Sequence, residues 1–120
     1  MSKKILIIED EQTLVKALEQ TLKDSGYETE VAIDGEEGWD KINSFQPDLI
    51  LLDLILPKMD GFSLLKKMLE NNLTVKMPVV VMTNLSDVGD RVKSMGAVQC
   101  LIKSDLSVKD IEGVIREKLR

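Results

Sequence analysis

Leu49-Ile50-Leu51-Leu52-Asp53 is the stretch that decides the fold. Four aliphatic residues with no polar break read as a strand covered on both faces. The run closes on a carboxylate, which is costly to bury and has no packing use. Ile5-Leu6-Ile7-Ile8 repeats the pattern and closes on Glu9-Asp10. Two buried strands that each deliver acids at their C-terminal ends mark a site.

Working outward, apolar runs alternate with helical spacings along the whole chain. The strand candidates are Lys4 to Ile8, Glu28 to Ala32, Asp48 to Leu52, Pro78 to Met82 and Val98 to Ile102. Between them lie apolar stripes at helical spacing. Leu14, Val15, Leu18 and Leu22 make the first, with Gly26 as its C-cap. Trp39, Ile42 and Phe45 make the second, and Phe62, Leu65, Met68 and Leu69 the third. Val88, Val92 and Met95 make a weak fourth, interrupted by Gly89. Val108, Ile111, Ile115 and Leu119 make the last, opened by a capping-box pattern at Ser107 and Asp110.

Strict β-α alternation implies an α/β fold, a parallel sheet with helices on both faces and right-handed crossovers. Hydropathy ranks the strands. The runs at 5–8, 49–52 and 79–82 are continuously apolar and belong at the centre. Glu28-Thr29-Glu30-Val31 alternates with charge and reads as an edge, and Val98 to Ile102 carries Gln99 and suits the other edge. The order is then 2-1-3-4-5. In such a sheet the ligand crevice lies beyond the C-terminal ends of strands 1 and 3, where Glu9, Asp10 and Asp53 fall.

At 120 residues the chain, 1–120, is one domain by length. Its 43% hydrophobic content can fill a core, which must be aliphatic because aromatics are 3%. A net charge of −5 argues against nonspecific binding to nucleic acid or membrane surfaces. No apolar run reaches signal-peptide or transmembrane length. Cys100 is the only cysteine and can form no intramolecular disulfide. Together these features suit a cytoplasmic protein without a membrane partner.

Two further strands end in polar residues, Thr83 and Lys103. If the strand ends converge, one crevice holds three carboxylates, a hydroxyl and an ammonium. Carboxylates that close must be protonated, be neutralised by Lys103, or bind a cation. All-oxygen ligands without histidine suit a hard ion, Mg²⁺ or in its place Mn²⁺. That composition fits phosphoryl transfer, with Asp53 as the nucleophile of an acyl phosphate. Singly, each residue has a plainer reading: helix cap or first-turn charge for Glu9 and Asp10, loop turn for Asp53 and Thr83, solvated charge for Lys103. Five such coincidences at one end of one sheet are hard to sustain.

With these residues in view, the chain resembles the receiver domain of bacterial response regulators, of the chemotaxis type, over essentially all of its length. The resemblance rests on several motifs. They are the acidic pair after the first strand, Pro47-Asp48-Leu49-Ile50-Leu51-Leu52-Asp53, Leu56-Pro57-Lys58-Met59-Asp60-Gly61, Pro78-Val79-Val80-Val81-Met82-Thr83, Gly96-Ala97 and Lys103. It implies a flavodoxin-like (βα)5 three-layer sandwich. It also implies that Asp53 takes a phosphoryl group from the phosphohistidine of a sensor histidine kinase or phosphotransfer protein. Asp10, Asp53 and the Ile55 backbone carbonyl would ligate Mg²⁺, with Glu9 assisting through water. Thr83 and Lys103 would contact the phosphoryl group. Catalysis would extend only to Mg²⁺-dependent self-phosphorylation and slow autodephosphorylation, so the chain is not an enzyme in the ordinary sense.

Four departures from the family pattern carry expectations of their own. The acidic pair is Glu9-Asp10, where Asp-Asp is commoner. Lys103 precedes Ser104, where the family usually has a cis Lys-Pro bond; cis before a non-proline residue costs about 3 kcal/mol, so a trans or strained cis bond is expected. Cys100 stands where many members carry a switch tyrosine or phenylalanine, so no moving ring can be the readout. The stretch from Thr83 to Gly96 is about two residues shorter than usual, which predicts a short fourth helix.

The output surface expected from the resemblance is the helix 4–strand 5–helix 5 face. The chain ends at Arg120 right after the last helix. That suggests a single-domain regulator without direct DNA binding, acting on a downstream protein target as a monomer or a phosphorylation-dependent homodimer. A segment cut from a longer protein would read the same. The alternative is a pseudo-receiver, a binding module of the same fold that is never phosphorylated. An FMN-binding flavodoxin needs a Ser/Thr/Gly-rich phosphate loop where this chain has Glu9-Asp10-Glu11-Gln12. An aspartyl phosphatase needs a second acid where this chain has Ile55.

Overall fold

A computed structural model describes residues 2–120. Five strands form one parallel sheet in the order β2-β1-β3-β4-β5: β1 (Lys4–Ile8), β2 (Glu28–Ala32), β3 (Leu49–Leu52), β4 (Val79–Thr83) and β5 (Gln99–Ile102). The helices are α1 (Gln12–Asp24), α2 (Gly35–Phe45), α3 (Gly61–Glu70), α4 (Gly89–Ser94) and α5 (Val108–Lys118), with a 3-10 turn at Lys103–Asp105. This is the flavodoxin-like α/β sandwich with the expected strand order.

The apolar runs behave as their hydropathy demands. Every residue of β3 and β4 is buried, whereas β2 and β5 are mostly part-exposed edges. Successive side chains on a strand face opposite ways, so the sheet feeds two cores. Leu6, Ile8, Ile50, Leu52, Val79 and Val81 pack with Ile42, Phe45, Leu64, Leu65, Met68 and Val92 of α2, α3 and α4. Ile5, Ile7, Leu49, Leu51, Val80 and Met82 pack with Val15, Leu18, Leu22, Ile111 and Ile115 of α1 and α5. Each such side chain, fully buried, contributes about 1.5–3 kcal/mol.

Strand ends shift slightly from the sequence expectation. Asp48 lies just outside β3; its carboxylate accepts the Lys4 amide at 2.7 Å and its own amide donates to the Lys4 carbonyl at 2.8 Å. Thr83 is the last residue of β4 rather than the first of the loop. Helix α1 is capped at Ser25, and Gly26 follows with φ +92°, the left-handed conformation glycine supplies beyond a helix end. The Ser107–Asp110 capping box opens α5 as its sequence implies.

Register places the site. Ile8 pairs with Leu52, so Glu9 and Asp53 leave the sheet side by side. Thr83 pairs with Ile102, so Lys103 leaves β5 one residue beyond it.

Candidate functional site

Asp53 is 5% exposed and is held from both sides of its backbone. Its amide donates to the Ile8 carbonyl at 3.0 Å. Gly61 packs on its carbonyl: a Cβ there would lie 2.3 Å from the Asp53 oxygen and 2.6 Å from Leu54 Cα. Only glycine lets α3 start this close. The carboxylate accepts the Ile55 amide on Oδ1 and the Lys103 ammonium on Oδ2, both at 3.3 Å.

Lys103 reaches further. Its Nζ donates to Glu9 Oε1 at 2.6 Å and lies 3.8 Å from Glu11 Oε1. Glu9 is fully buried, and its second oxygen accepts the Glu11 amide at 3.1 Å. Asp10 is exposed beside them. One carboxylate oxygen from each of Glu9, Asp10 and Asp53 lies within 4.8 Å of the others. Glu9, Glu11 and Asp53 thus share the Lys103 ammonium, and Asp10 adds a fourth acid beside them.

The electrostatics arise from this packing. Burial pushes the Glu9 carboxyl above its ordinary value, and the charge of Asp53 adds to the rise, while Lys103 and the Glu11 amide oppose it. Burial works against the Lys103 ammonium, but its bond to Glu9 and the charges of Asp53 and Glu9 outweigh that and raise its pKa. The remaining negative charge, the all-oxygen donor set and the exposed Asp10 fit a hard divalent cation. Glu9, Asp10 and Asp53 each offer one carboxylate oxygen that could hold it.

Glu9, Asp10, Asp53 and Lys103 meet in one crevice, as their places at the strand ends imply. Thr83 is fully buried at the end of β4, and its Oγ1 accepts the Leu85 amide at 3.1 Å. Among the described residues it makes no hydrogen bond to the acids. Ile55 touches Asp53 through its amide, and its side chain is exposed. Glu9 is seated against Lys103 rather than in solvent, so its primary contact is the ammonium. Glu11 joins the site without having been expected there; its place in the acid run Glu9-Asp10-Glu11 is its only sequence signal. The support beneath the β3–α3 loop was equally unexpected. Lys58, with φ +65°, lies 3.7 Å from the buried Asp34 carboxylate, and a Cβ on Gly35 would lie 2.0 Å from the Met59 carbonyl oxygen.

No peptide bond among the described residues is cis, so Lys103–Ser104 is trans. Cys100 is half-buried against the α2–α3–α4 core, and burial raises its thiol pKa. Helix α4 spans six residues, and Val88 at its N-cap position offers no side-chain cap.

The response regulator receiver domain profile matches residues 5–114. The chain belongs to the response regulator receiver domain family. A solved CheY-like receiver from Methanospirillum hungatei superposes on this receiver domain with a TM-score of 0.88 at 30% identity, covering 99% of this chain and 94% of that one. The probable transcriptional regulator ycf27 of Porphyridium aerugineum is 36% identical over 98% of this receiver domain and 48% of its own length. A Synechocystis relative, the DNA-binding dual master transcriptional regulator RpaA, is 34% identical over 98% of this receiver domain and 49% of its own length. The receiver domain thus spans about half the length of these curated relatives.

That similarity corrects the expected partner set, a downstream protein target with no direct DNA binding. The expectation rests on the end of the chain at Arg120 and on its −5 charge. A domain spanning half of its relatives carries no information on a neighbouring domain, and its charge describes only its own surface. No described helix is long and apolar enough to cross a membrane.

Proposed function

We propose that this receiver accepts a phosphoryl group on Asp53 from the phosphohistidine of a cytoplasmic histidine kinase or phosphotransfer protein. One observation carries the reading: a buried aspartate at a strand end, 3.3 Å from a lysine and clustered with two further acids. An Asp53 carboxylate oxygen attacks phosphorus. The bond from phosphorus to the imidazole nitrogen breaks, and that nitrogen keeps the electron pair. The two aligned strands β1 and β3 set the direction of attack, because Asp53 is fixed by the Ile8 carbonyl and by Gly61.

Mg²⁺, or Mn²⁺ in its place, would be held by Asp10, Asp53 and the Ile55 carbonyl, with Glu9 assisting through water. When bound it would offset charge on the transferring oxygens. Lys103 is already within reach of Asp53 and would pair with the attached phosphoryl group. The Thr83 hydroxyl, accepting from Leu85, has its own proton free to donate to that group. Transfer to Asp53 and slow hydrolysis of the acyl phosphate would be the only catalysis.

The uncapped, six-residue α4 supports the α4–β5–α5 face as the output surface. By analogy with relatives named as transcriptional regulators, the whole protein's output would be exerted on DNA. The test is incubation with acetyl phosphate and Mg²⁺, then intact-mass measurement. The expected result is one added phosphoryl group, lost in Asp53→Asn. An unmodified parent chain that also fails to bind Mg²⁺ would leave the pseudo-receiver reading instead.

A further inference from the structure

The loop that follows Thr83 and the turn that carries Lys103 are joined by a hydrogen bond that the proposed transfer does not use. The Ser104 amide donates to Asn84 Oδ1 at 2.9 Å, between residues 20 apart in the chain. Asn84 directly follows Thr83, and Ser104 directly follows Lys103. On one side, the Leu85 amide bonded to Thr83 Oγ1 forms a tight turn that fixes the position of Asn84. On the other, the 3-10 turn Lys103–Asp105 has no side-chain cap, and its closing bond from the Leu106 amide to the Lys103 carbonyl is long, at 3.4 Å. Among the described residues, the Asn84 contact is the only hydrogen bond between that turn's backbone and a distant element.

We infer that Asn84 is a positioning residue: its side chain straps the loop after β4 to the loop after β5, so that Thr83 and Lys103 move as one unit. The strap requires an N–H at position 104, which serine supplies and proline would remove. Its consequence for signalling rests on the phosphorylation reading above. A Thr83 hydroxyl drawn toward a phosphoryl oxygen carries the Leu85 turn with it. Asn84 shifts with it, and the backbone that carries Lys103 moves too. Both partners are exposed, so water competes for the bond and it can break and re-form readily.

The first measurement is amide hydrogen exchange at Ser104 by NMR, on the whole chain without ligand. Asn84→Ala should speed exchange roughly threefold to tenfold, the range for loss of one ordinary hydrogen bond. Asn84→Asp keeps an acceptor oxygen in place and should remain near the parent. The second is the initial rate of Asp53 phosphorylation by acetyl phosphate at saturating Mg²⁺. Asn84→Ala and Ser104→Pro cut the same bond from opposite ends, and each should slow phosphorylation by about threefold or more. The double variant should be no slower than the slower single one. Mg²⁺ affinity, measured by titration, should stay within about twofold of the parent, because the strap acts on Thr83 and Lys103 and not on the acids.

Unchanged Ser104 exchange in Asn84→Ala overturns the inference. So do rate effects that multiply in the double variant, or Mg²⁺ affinity that falls in step with the rate. If the parent itself is never phosphorylated, the transfer proposal fails on its own, and Ser104 exchange alone decides the strap.

Discussion

Lys103 and the buried Glu9 hold each other in a part-buried pair with a 2.6 Å contact. Lys103 is raised above its ordinary 10.5, so the folded state binds its proton more tightly than the unfolded chain does. Its contribution to stability is therefore complete below 10.5 and lost as pH rises through the higher folded value. Glu9→Gln removes the leading partner, so the alkaline loss should shrink. Thermal melts between about pH 9 and pH 12 would register it. A parent melting curve that is flat across that range contradicts the pairing. Gly61 makes a second residue-scale prediction. A methyl group there meets the Asp53 carbonyl, so Gly61→Ala should cost about 1–3 kcal/mol, as overpacking does. It should also slow Asp53 phosphorylation, because the nucleophile's own backbone is displaced. Parent-like kinetics in a folded Gly61→Ala protein would show that the close approach does not matter.

Among the elements, α5 and α4 stand at opposite extremes. Helix α5 opens on a complete capping box, in which Ser107 Oγ accepts the Asp110 amide and Asp110 accepts the Ser107 amide. Ser107→Ala should cost about 1 kcal/mol in denaturant unfolding, with an unchanged m-value. The Ser107 bonds also hold the Asp110 carboxyl below its ordinary 3.8. That contribution is present above 3.8 and disappears as pH falls through the lower folded value. Helix α4 has six residues and no side-chain cap. It is tied to α3 by Arg91 stacked over Phe62 at 4.0 Å. Its amides should exchange faster than those of α5 and of β3, as expected for an element with little local support. Protection in α4 equal to that in α5 would remove the basis for treating it as the mobile output element.

For the molecule as a whole, a ligand that binds only the folded state raises stability by mass action. Mg²⁺ should raise the Tm of the parent chain and leave that of Asp10→Asn nearly unchanged. The fold was legible because its evidence is local. Uninterrupted aliphatic runs name the central strands, charge alternation names β2 as an edge, and Ser107 with Asp110 names the start of α5. Acids at strand ends were legible once the strand order was known. Contacts that could not be read depend on distances through space. Nothing in the chain says that Glu9 turns inward to Lys103, that Glu11 joins it, or that Asn84 meets Ser104. These contacts come from register and loop path, not from composition. The expected absence of DNA contact failed for a different reason, since it was read from the chain's end and from the net charge of one domain.

The pairing of Glu9 with Lys103 joins residues 94 apart. During synthesis the three acids leave the ribosome well before the lysine that balances two of them. Until β5 has docked, the acids at the ends of β1 and β3 lack the ammonium of Lys103. If Asp53 takes a phosphoryl group as proposed, a C-terminally clipped chain that lacks β5 should be phosphorylated more slowly than the whole domain.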